Sequence, residues 1–247
     1  MINIRSVNEV EKLSKACKIV KETLEMLEEF IHPGITTLVL DKKAESFIRS
    51  KNAEPGFKGL YGYPATLCVS IDNEVVHGLP SNRKLEEGQI LSVDVGSFKD
   101  GFYGDHAKSF AVGKVDEKKQ QLMDITHQCL LDAIKNAIPG NHIGDIGYAV
   151  QTKAESYGYG VVRDLVGHGI GTNLHEEPQI PNYGFPGKGP KIEEGMCFAI
   201  EPMINMGSPE VFTKKDGWTV CTKDGLPSAH FEHSITITNN GAEILTA

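Results

Sequence analysis

The chain has 247 residues, of which 40% are hydrophobic, and a formal net charge of -8 at pH 7. This acidic balance argues against broad nucleic-acid binding, because such binding needs a basic surface to neutralise phosphates. No apolar run reaches the length of a membrane span, the N-terminus lacks a secretory signal pattern, and the five cysteines include no CxxC pair. We therefore expect a globular protein of the reducing cytoplasm, with neither a membrane nor a specific nucleic acid as its partner.

The first predicted element is a helix near the N-terminus. The capping-box pattern Ser6-Val-Asn-Glu9 marks its start, and apolar residues follow at helical spacing as far as Leu27. A second helix is predicted after Pro33-Gly34, and β-rich runs follow at residues 66–71 and 89–95.

The second half of the chain repeats this order of helix, helix and strands. Residues 85–94 (LEEGQILSVD) align without gaps with residues 192–201 (IEEGMCFAIE), and Pro33-Gly34 has a counterpart in Pro139-Gly140. Because no low-complexity linker separates the halves, we predict one α+β domain over residues 1–247, with related halves at 1–112 and 113–247. Packing about a pseudo-two-fold axis would place Asp94 opposite Glu201.

Carboxylates in otherwise apolar segments are the candidate functional groups, namely those of Asp94, Asp105, Glu201 and Glu232. A turn at residues 99–101 would bring Asp105 opposite Asp94 or one position away. Buried carboxylates repel one another and are costly to bury without a cation. With His168 they form a donor set that suits two divalent ions such as Mn(II), Fe(II) or Co(II) better than a sulfur-bound structural zinc. Two such ions would activate a bridging water for hydrolysis.

Other hydrolase and nucleotide-binding motifs do not fit the sequence. Residues 167–171 lack the spacing of a GxGxxG dinucleotide turn, and residues 184–191 lack the Ser or Thr that follows the lysine of a P-loop. The sequence contains neither HExxH nor GxSxG, which disfavours a thermolysin-like or serine hydrolase.

Several segments together resemble the type I methionine aminopeptidases, a family with the pita-bread fold. They are Asn73-Glu-Val-Val-His77-Gly, Ser92-Val-Asp94-Val, Asp100-Gly-Phe-Tyr-Gly-Asp105, Gly167-His168-Gly-Ile-Gly171, His175-Glu-Glu-Pro178, Glu201-Pro-Met203, Lys215-Asp-Gly-Trp218-Thr and Phe231-Glu232-His. The resemblance runs from about Ile4 to Leu245. It implies two pseudo-symmetric halves, with a curved antiparallel sheet and outer helices.

The resemblance also implies a role for each site residue. It makes Asp94, Asp105, His168, Glu201 and Glu232 the ligands of two divalent metal ions, with Asp105 and Glu232 bridging. It implies that His77 and His175 contact the substrate and that Glu201 carries the proton of the attacking water. Tyr63, Cys68 and Trp218 would line a methionine pocket. The implied reaction is removal of the N-terminal methionine from nascent proteins and peptides, with a preference for a small second residue.

Three positions depart from the pattern of the family. Leu60 stands where a tyrosine is expected and Leu174 where an aromatic residue is frequent, which bears on the shape of the pocket. His106 follows Asp105 where threonine is common; in a strand it should point away from the metals, or it could be an added hydrogen-bond partner of a metal ligand.

Two alternatives share the predicted fold. A proline-specific aminopeptidase or dipeptidase would use the same five ligands, but such relatives usually carry an additional N-terminal domain, for which the first repeat leaves no room. A binding module without metal would have no reason to keep four mutually repelling carboxylates. We expect a monomer, and a transient ribosome contact would suit an enzyme that acts on new chains.

Overall fold

The computed structural model describes residues 2–247. The first half contains the helices α1 (Val7–Glu28) and α2 (Thr37–Ser50), a short 3-10 turn (Leu60–Gly62), and the strands β1 (Glu54–Pro55), β2 (Leu67–Ile71), β3 (Glu74–Val76), β4 (Ile90–Lys99) and β5 (Phe102–Ala111). The second half contains the helices α3 (Glu117–Asn136) and α4 (Ile143–Ser156) and the strands β6 (Gly160–Val161), β7 (Gly167–Gly169), β8 (Glu176–Ile180), β9 (Cys197–Ile200), β10 (Met203–Asn205), β11 (Val211–Thr213), β12 (Val220–Thr222), β13 (Ser228–His230), β14 (Glu232–Thr238) and β15 (Gly241–Ile244).

The long helices α1 and α3 begin at side-chain caps. At the start of α1 the Glu9 carboxylate accepts the Ser6 backbone N–H at 2.9 Å, as the capping-box pattern predicts. At the start of α3 the Asp116 carboxylate accepts the Lys119 N–H at 2.9 Å. Both helices bury an apolar face, which for α1 includes Leu13, Val20, Leu24 and Leu27.

Helix α1 packs on the β4–β5 hairpin at backbone contact. A Cβ atom at Gly104 would lie 2.4 Å from the carbonyl carbon of Ala16, and the Ser97 hydroxyl donates to the Ala16 carbonyl oxygen at 2.9 Å. Because side chains alternate along a strand, Asp105 points to the opposite face of the sheet from Gly104. The helix therefore covers one face of the hairpin and leaves the other face free for the site.

The strands of residues 2–247 form one large antiparallel sheet and two small ones. The large sheet has nine strands in the order β1-β4-β5-β14-β9-β7-β8, with β2 beside β4 and β15 beside β14. At the centre of this sheet, strand β5 of the first half pairs with strand β14 of the second half. The small sheets have the orders β13-β10-β6 and β11-β12-β3.

The internal repeat is visible in the backbone as well as in the sequence. Isolated bridges join Thr36 to Lys84 in the first half and His142 to Lys191 in the second. The glycine of each Glu-Glu-Gly turn has nearly the same positive φ, 84° at Gly88 and 85° at Gly195. The structure confirms the order of two helices followed by strands in each half, whereas the domain boundaries at 1–112 and 113–247 stay a prediction.

Among the described residues, no helix is long and apolar enough to cross a membrane.

Candidate metal centre

The β4–β5 hairpin places two of the predicted ligands. Its turn, Asp100-Gly101, has positive φ at both residues (51° and 86°) and pairs Lys99 with Phe102. Asp94 is therefore opposite Ala107, and Asp105 is opposite Gly96. The prediction that Asp105 lies opposite Asp94 or one position away is wrong, because the two-residue turn displaces it by two. That displacement keeps both carboxylates on the same face, as diagonal neighbours.

A row of residues across neighbouring strands collects the other carboxylates. Ala107, opposite Asp94, is paired on its other side with Glu232 in β14. In the neighbouring strand β9, Ile200 is paired with His233 of β14. Because the two strands are antiparallel, the next residue of the chain, Glu201, comes beside Glu232 and extends the row at the end of β9. The small side chain of Ala107 leaves space between the carboxylates of the two halves.

His168 completes the cluster from β7. Its Nε2 atom lies 3.8 Å from Oδ2 of Asp105 and 3.5 Å from Oε1 of Glu201. Donor atoms of Asp105, His168 and Glu232 all lie within 4.8 Å of one another. The Nδ1 atom lies 3.0 Å from the Gly169 carbonyl oxygen. Since a carbonyl can only accept, Nδ1 carries the proton and Nε2 presents a lone pair to the carboxylates.

The carboxylates lack the partners that burial demands. Within the described part of the chain, Oδ1 of Asp94, Oδ1 of Asp105 and Oε1 of Glu232 are buried without a hydrogen-bond partner. Burial, followed by the neighbouring carboxylates, raises the pKa of Asp94, Glu201 and Glu232 well above the usual values. Burial also lowers the pKa of His168 to about 3, so its imidazole is neutral at pH 7. Unpaired oxygens around a neutral imidazole fit divalent cations.

Two further predicted histidines stand at the edge of this cluster. His77 has a positive φ of 59°, and burial lowers its pKa to about 4. The ring of His175 meets the ring of His168 edge-on with centroids 4.5 Å apart, and it stacks on the ring of Tyr61 with centroids 5.9 Å apart. Both histidines thus border the same cleft as the carboxylates.

The cleft is a single cavity of about 140 Å³, in which the carboxylates and histidines lie beside an apolar wall. Tyr63, Cys68 and Trp218, the residues of the predicted methionine pocket, lie in this wall together with Leu60 and Leu174. The rings of Tyr63 and Trp218 pack edge to face at 5.0 Å, while the Tyr63 hydroxyl lies 2.9 Å from the Leu67 carbonyl oxygen. Phe57 and Tyr61 also line the cavity but carried no signal in the sequence, since Phe57 lies in a loop and Tyr61 in the short 3-10 turn.

His230 is a further residue of the site, and it was not predicted from the sequence. It is 1% exposed, and its Nε2 atom lies 3.6 Å from Oε2 of Glu201. Burial lowers its pKa to about 3. Its position two residues before Glu232 is the signal that could have found it, because residues two apart can share a face of an extended chain.

His106 lies on the reverse face, as predicted. Its Nδ1 atom donates to the Glu232 carbonyl oxygen at 2.5 Å, and its ring stacks on His233 with centroids 4.8 Å apart. It therefore supports the backbone of Glu232 without facing the carboxylates.

The chain is similar to known metallopeptidases in sequence and in fold. Residues 11–239 match the family described as Metallopeptidase family M24. The methionine aminopeptidase of Clostridium acetobutylicum is 49% identical, over 100% of this chain and 99% of that protein. The crystal structure of the methionine aminopeptidase from Thermotoga maritima superposes with a TM-score of 0.98 at 47% identity, covering 100% of this chain and 99% of that one.

The prolidase from Pyrococcus furiosus is more distant. Its TM-score is 0.81 at 25% identity, and the match covers 99% of this chain but 65% of the prolidase. The shared fold confirms the predicted pita-bread architecture, in which a curved antiparallel sheet carries the site. The chain belongs to metallopeptidase family M24 and, within it, to the methionine aminopeptidases.

Proposed function

We propose that this chain is a metal-dependent aminopeptidase that removes the N-terminal methionine from nascent proteins and peptides. The observation that carries the proposal is the row of buried, unpartnered carboxylates beside a neutral imidazole. It occurs in a chain that is 49% identical to a methionine aminopeptidase over its whole length.

The ligands of the metal ions would be Asp94, Asp105, His168, Glu201 and Glu232. Asp105 lies on β5, between the strands of Asp94 and Glu232 and on the same face, so its carboxylate would help to hold the ions together with ligands of both halves. Four carboxylates can balance two divalent ions, and their oxygen-rich set suits Mn(II), Fe(II) or Co(II). Such ions, when bound, polarise a carbonyl and make water a stronger nucleophile.

Glu201 is suited to move the proton of the reaction. Its Oε1 atom faces Nε2 of His168 at 3.5 Å and its Oε2 atom faces Nε2 of His230 at 3.6 Å. The carboxylate therefore lies between two imidazoles, and His168 turns a lone pair, not a donor, towards it. A carboxylate at this position can accept a proton from the attacking water and return it to the leaving amine.

His77 and His175 would act on the substrate as hydrogen-bond donors. With its pKa lowered to about 4, His77 is neutral at pH 7 and offers one N–H near the leaving nitrogen. His175, edge-on to His168, is placed to donate to the scissile carbonyl as negative charge develops on its oxygen.

The apolar cavity would hold the methionine side chain. The part of the cavity that Tyr63, Cys68 and Trp218 line suits a flexible thioether and would exclude larger side chains. Tyr61 and His175 crowd its rim, which supports a preference for a small second residue. We further propose that the protein works as a cytoplasmic monomer, with a transient ribosome contact that would bring it to its substrates.

Peptide hydrolysis by metal-stripped protein, before and after addition of Mn(II) or Co(II), tests the proposal. We expect release of methionine from Met-Ala-Ser only after metal addition, and no cleavage of Ala-Pro-Ser. Cleavage of the proline peptide alone would move the protein to the proline-specific relatives, and no cleavage of either would favour a binding module. Asp105→Asn should be inactive. Asp132→Asn, which removes a carboxylate paired with Lys153 on the outer helices, should keep full activity.

A further inference from the structure

We propose that Arg5 and Glu176 are positioning residues, through which the N-terminal segment of the chain holds the loop that carries His175. The inference rests on the proposed function, because it concerns the residue assigned to the scissile carbonyl. Its physical basis is a buried ion pair between the two halves, outside the metal cluster.

Glu176 follows His175 directly and gathers donors from two parts of the chain. Its carboxylate accepts Nη2 of Arg5 at 2.5 Å and 2.7 Å and Nδ2 of Asn3 at 2.7 Å. From its own loop it accepts the Asn173 backbone N–H at 3.0 Å and the Thr172 hydroxyl at 3.2 Å. The carboxylate therefore fastens the loop to the N-terminal segment.

The surroundings of Arg5 are shaped to its side chain. A Cβ atom at Gly171 would lie 2.3 Å from Nη2 of Arg5, so any other residue at this position would require the guanidinium to shift. The guanidinium also lies over the ring of Phe102, 5.7 Å from its centroid, and the Arg5 backbone N–H donates to Gly195 at 2.8 Å. These contacts leave the guanidinium little freedom to move.

The burial of the pair argues for positioning rather than for stability. The side chains of Arg5 and Glu176 are 8% and 5% exposed, and Nε of Arg5 has no partner among the described residues. Removing two such charges from water costs about as much as their attraction returns. A buried pair of this kind is therefore better explained by the geometry that it fixes.

That geometry is the separation of two histidines. Residues 170–175 connect β7, which contains His168, to β8, which begins at Glu176. The Tyr103 N–H donates to the Gly171 carbonyl oxygen at 2.8 Å, which holds one side of the loop, and Glu176 holds the other. Without Arg5 the loop would keep the first contact and lose much of the second. A displacement of His175 by about 1 Å would be enough to lower turnover about a hundredfold.

The test compares Arg5→Met with Arg5→Lys, Glu176→Gln and the remote ion-pair variant Asp132→Asn. Steady-state kinetics on Met-Ala-Ser should show a 10- to 100-fold lower kcat for Arg5→Met, on the order expected for a misplaced catalytic group, with KM changed less than about threefold. Arg5→Lys, which keeps the charge, should recover most of kcat, and Asp132→Asn should match the wild type. Bound metal should be equal in all of them.

Hydrogen exchange provides a readout that does not depend on activity. In metal-free protein, the amide of Asn173 should exchange faster in Arg5→Met and in Glu176→Gln than in the wild type. The double variant that combines the two substitutions should exchange this amide no faster than either single variant does. A lower Tm with unchanged kcat and unchanged exchange would overturn the inference and leave the pair a structural one. A wild-type protein that releases no methionine would instead overturn the proposed function, and the exchange result alone would then decide whether the pair positions the loop.

Discussion

Replacing Asp105 by asparagine should stabilise the metal-free protein, although it should abolish turnover. Asp105 is 4% exposed, its Oδ1 atom is buried without a partner, and burial raises its pKa from the usual 3.8 to about 7. An acid with a raised pKa in the fold holds its proton more tightly there than in the unfolded chain. The stability it contributes is therefore fully present only below pH 3.8 and is lost as the pH rises to about 7.

The size of the effect follows from the two pKa values. At pH 8 the ionised carboxylate costs about 4 kcal/mol of folding free energy, at about 1.4 kcal/mol for each pH unit between the two pKa values. The amide of asparagine is also polar and recovers only part of this, because an imperfectly paired buried group costs about 1–3 kcal/mol. A net gain of about 2 kcal/mol corresponds to a Tm increase of about 4–8 °C for a chain of this size.

Thermal unfolding in chelator at pH 5 and pH 8, and then with Mn(II), measures the effect. The advantage of Asp105→Asn should be near zero at pH 5 and largest at pH 8. Added metal should reverse the order, because an ion at a hundred times its Kd stabilises the wild type by about 2.7 kcal/mol and the variant by less.

Asp132→Asn is the matched control for this comparison. Burial opposes ionisation there, but hydrogen bonds from Gln128 and Lys153 outweigh it and lower the pKa of Asp132. Loss of the ionised Asp132 carboxylate in Asp132→Asn should therefore lower the Tm at pH 8. If Asp105→Asn unfolds at a lower temperature than the wild type at pH 8 in chelator, or if the difference is the same at both pH values, the assigned electrostatic cost is wrong.

Three further substitutions test other parts of the molecule. His77→Ala should lower kcat on Met-Ala-Ser while elemental analysis finds wild-type metal content, and loss of metal would contradict a role in substrate contact. Gly104→Ala places a Cβ atom 2.4 Å from the Ala16 carbonyl carbon, so denaturant unfolding should show a loss of about 1–3 kcal/mol; an unchanged midpoint would show that α1 can move away freely. Tyr63→Phe removes a hydroxyl that lies near two main-chain carbonyls, and should cost about 1 kcal/mol of stability and raise KM, whereas an unchanged KM would place Tyr63 outside the pocket.

The sequence predicted which carboxylates lie together because strand geometry is local and periodic. An acidic residue flanked by apolar neighbours in a strand reports a buried face, and the repeat showed that Asp94 and Glu201 are equivalent. The predicted register between Asp94 and Asp105 was wrong, because the register of a hairpin depends on the number of residues in its turn. Asp100 and Gly101 alone form that turn, and both have positive φ.

The contact between Arg5 and Glu176 could not be predicted in the same way. The two residues are 171 positions apart, and neither lies in a periodic pattern that reports its partner. The same holds for Phe57 and Tyr61, whose place in the cavity depends on loop conformation; Tyr61 has a positive φ of 51°, which its residue type does not indicate. Tertiary packing determines the positions of such residues, whereas the local sequence pattern was enough to predict which carboxylates lie together.

The departures from symmetry between the halves explain how a two-fold arrangement of carboxylates can act on a substrate with direction. His168 is opposite Ala199 in the second half, and the equivalent position in the first half is Ser70, opposite Ser92. The Ser70 hydroxyl accepts the Gly78 N–H at 3.1 Å instead of facing the carboxylates. The second half thus supplies the imidazole of the cluster, and its loop also carries His175. A peptide has different groups at its two ends, so a site with identical halves would bind it in either direction. The repeat supplies equivalent carboxylates, and the unequal loops and histidines give the site one orientation.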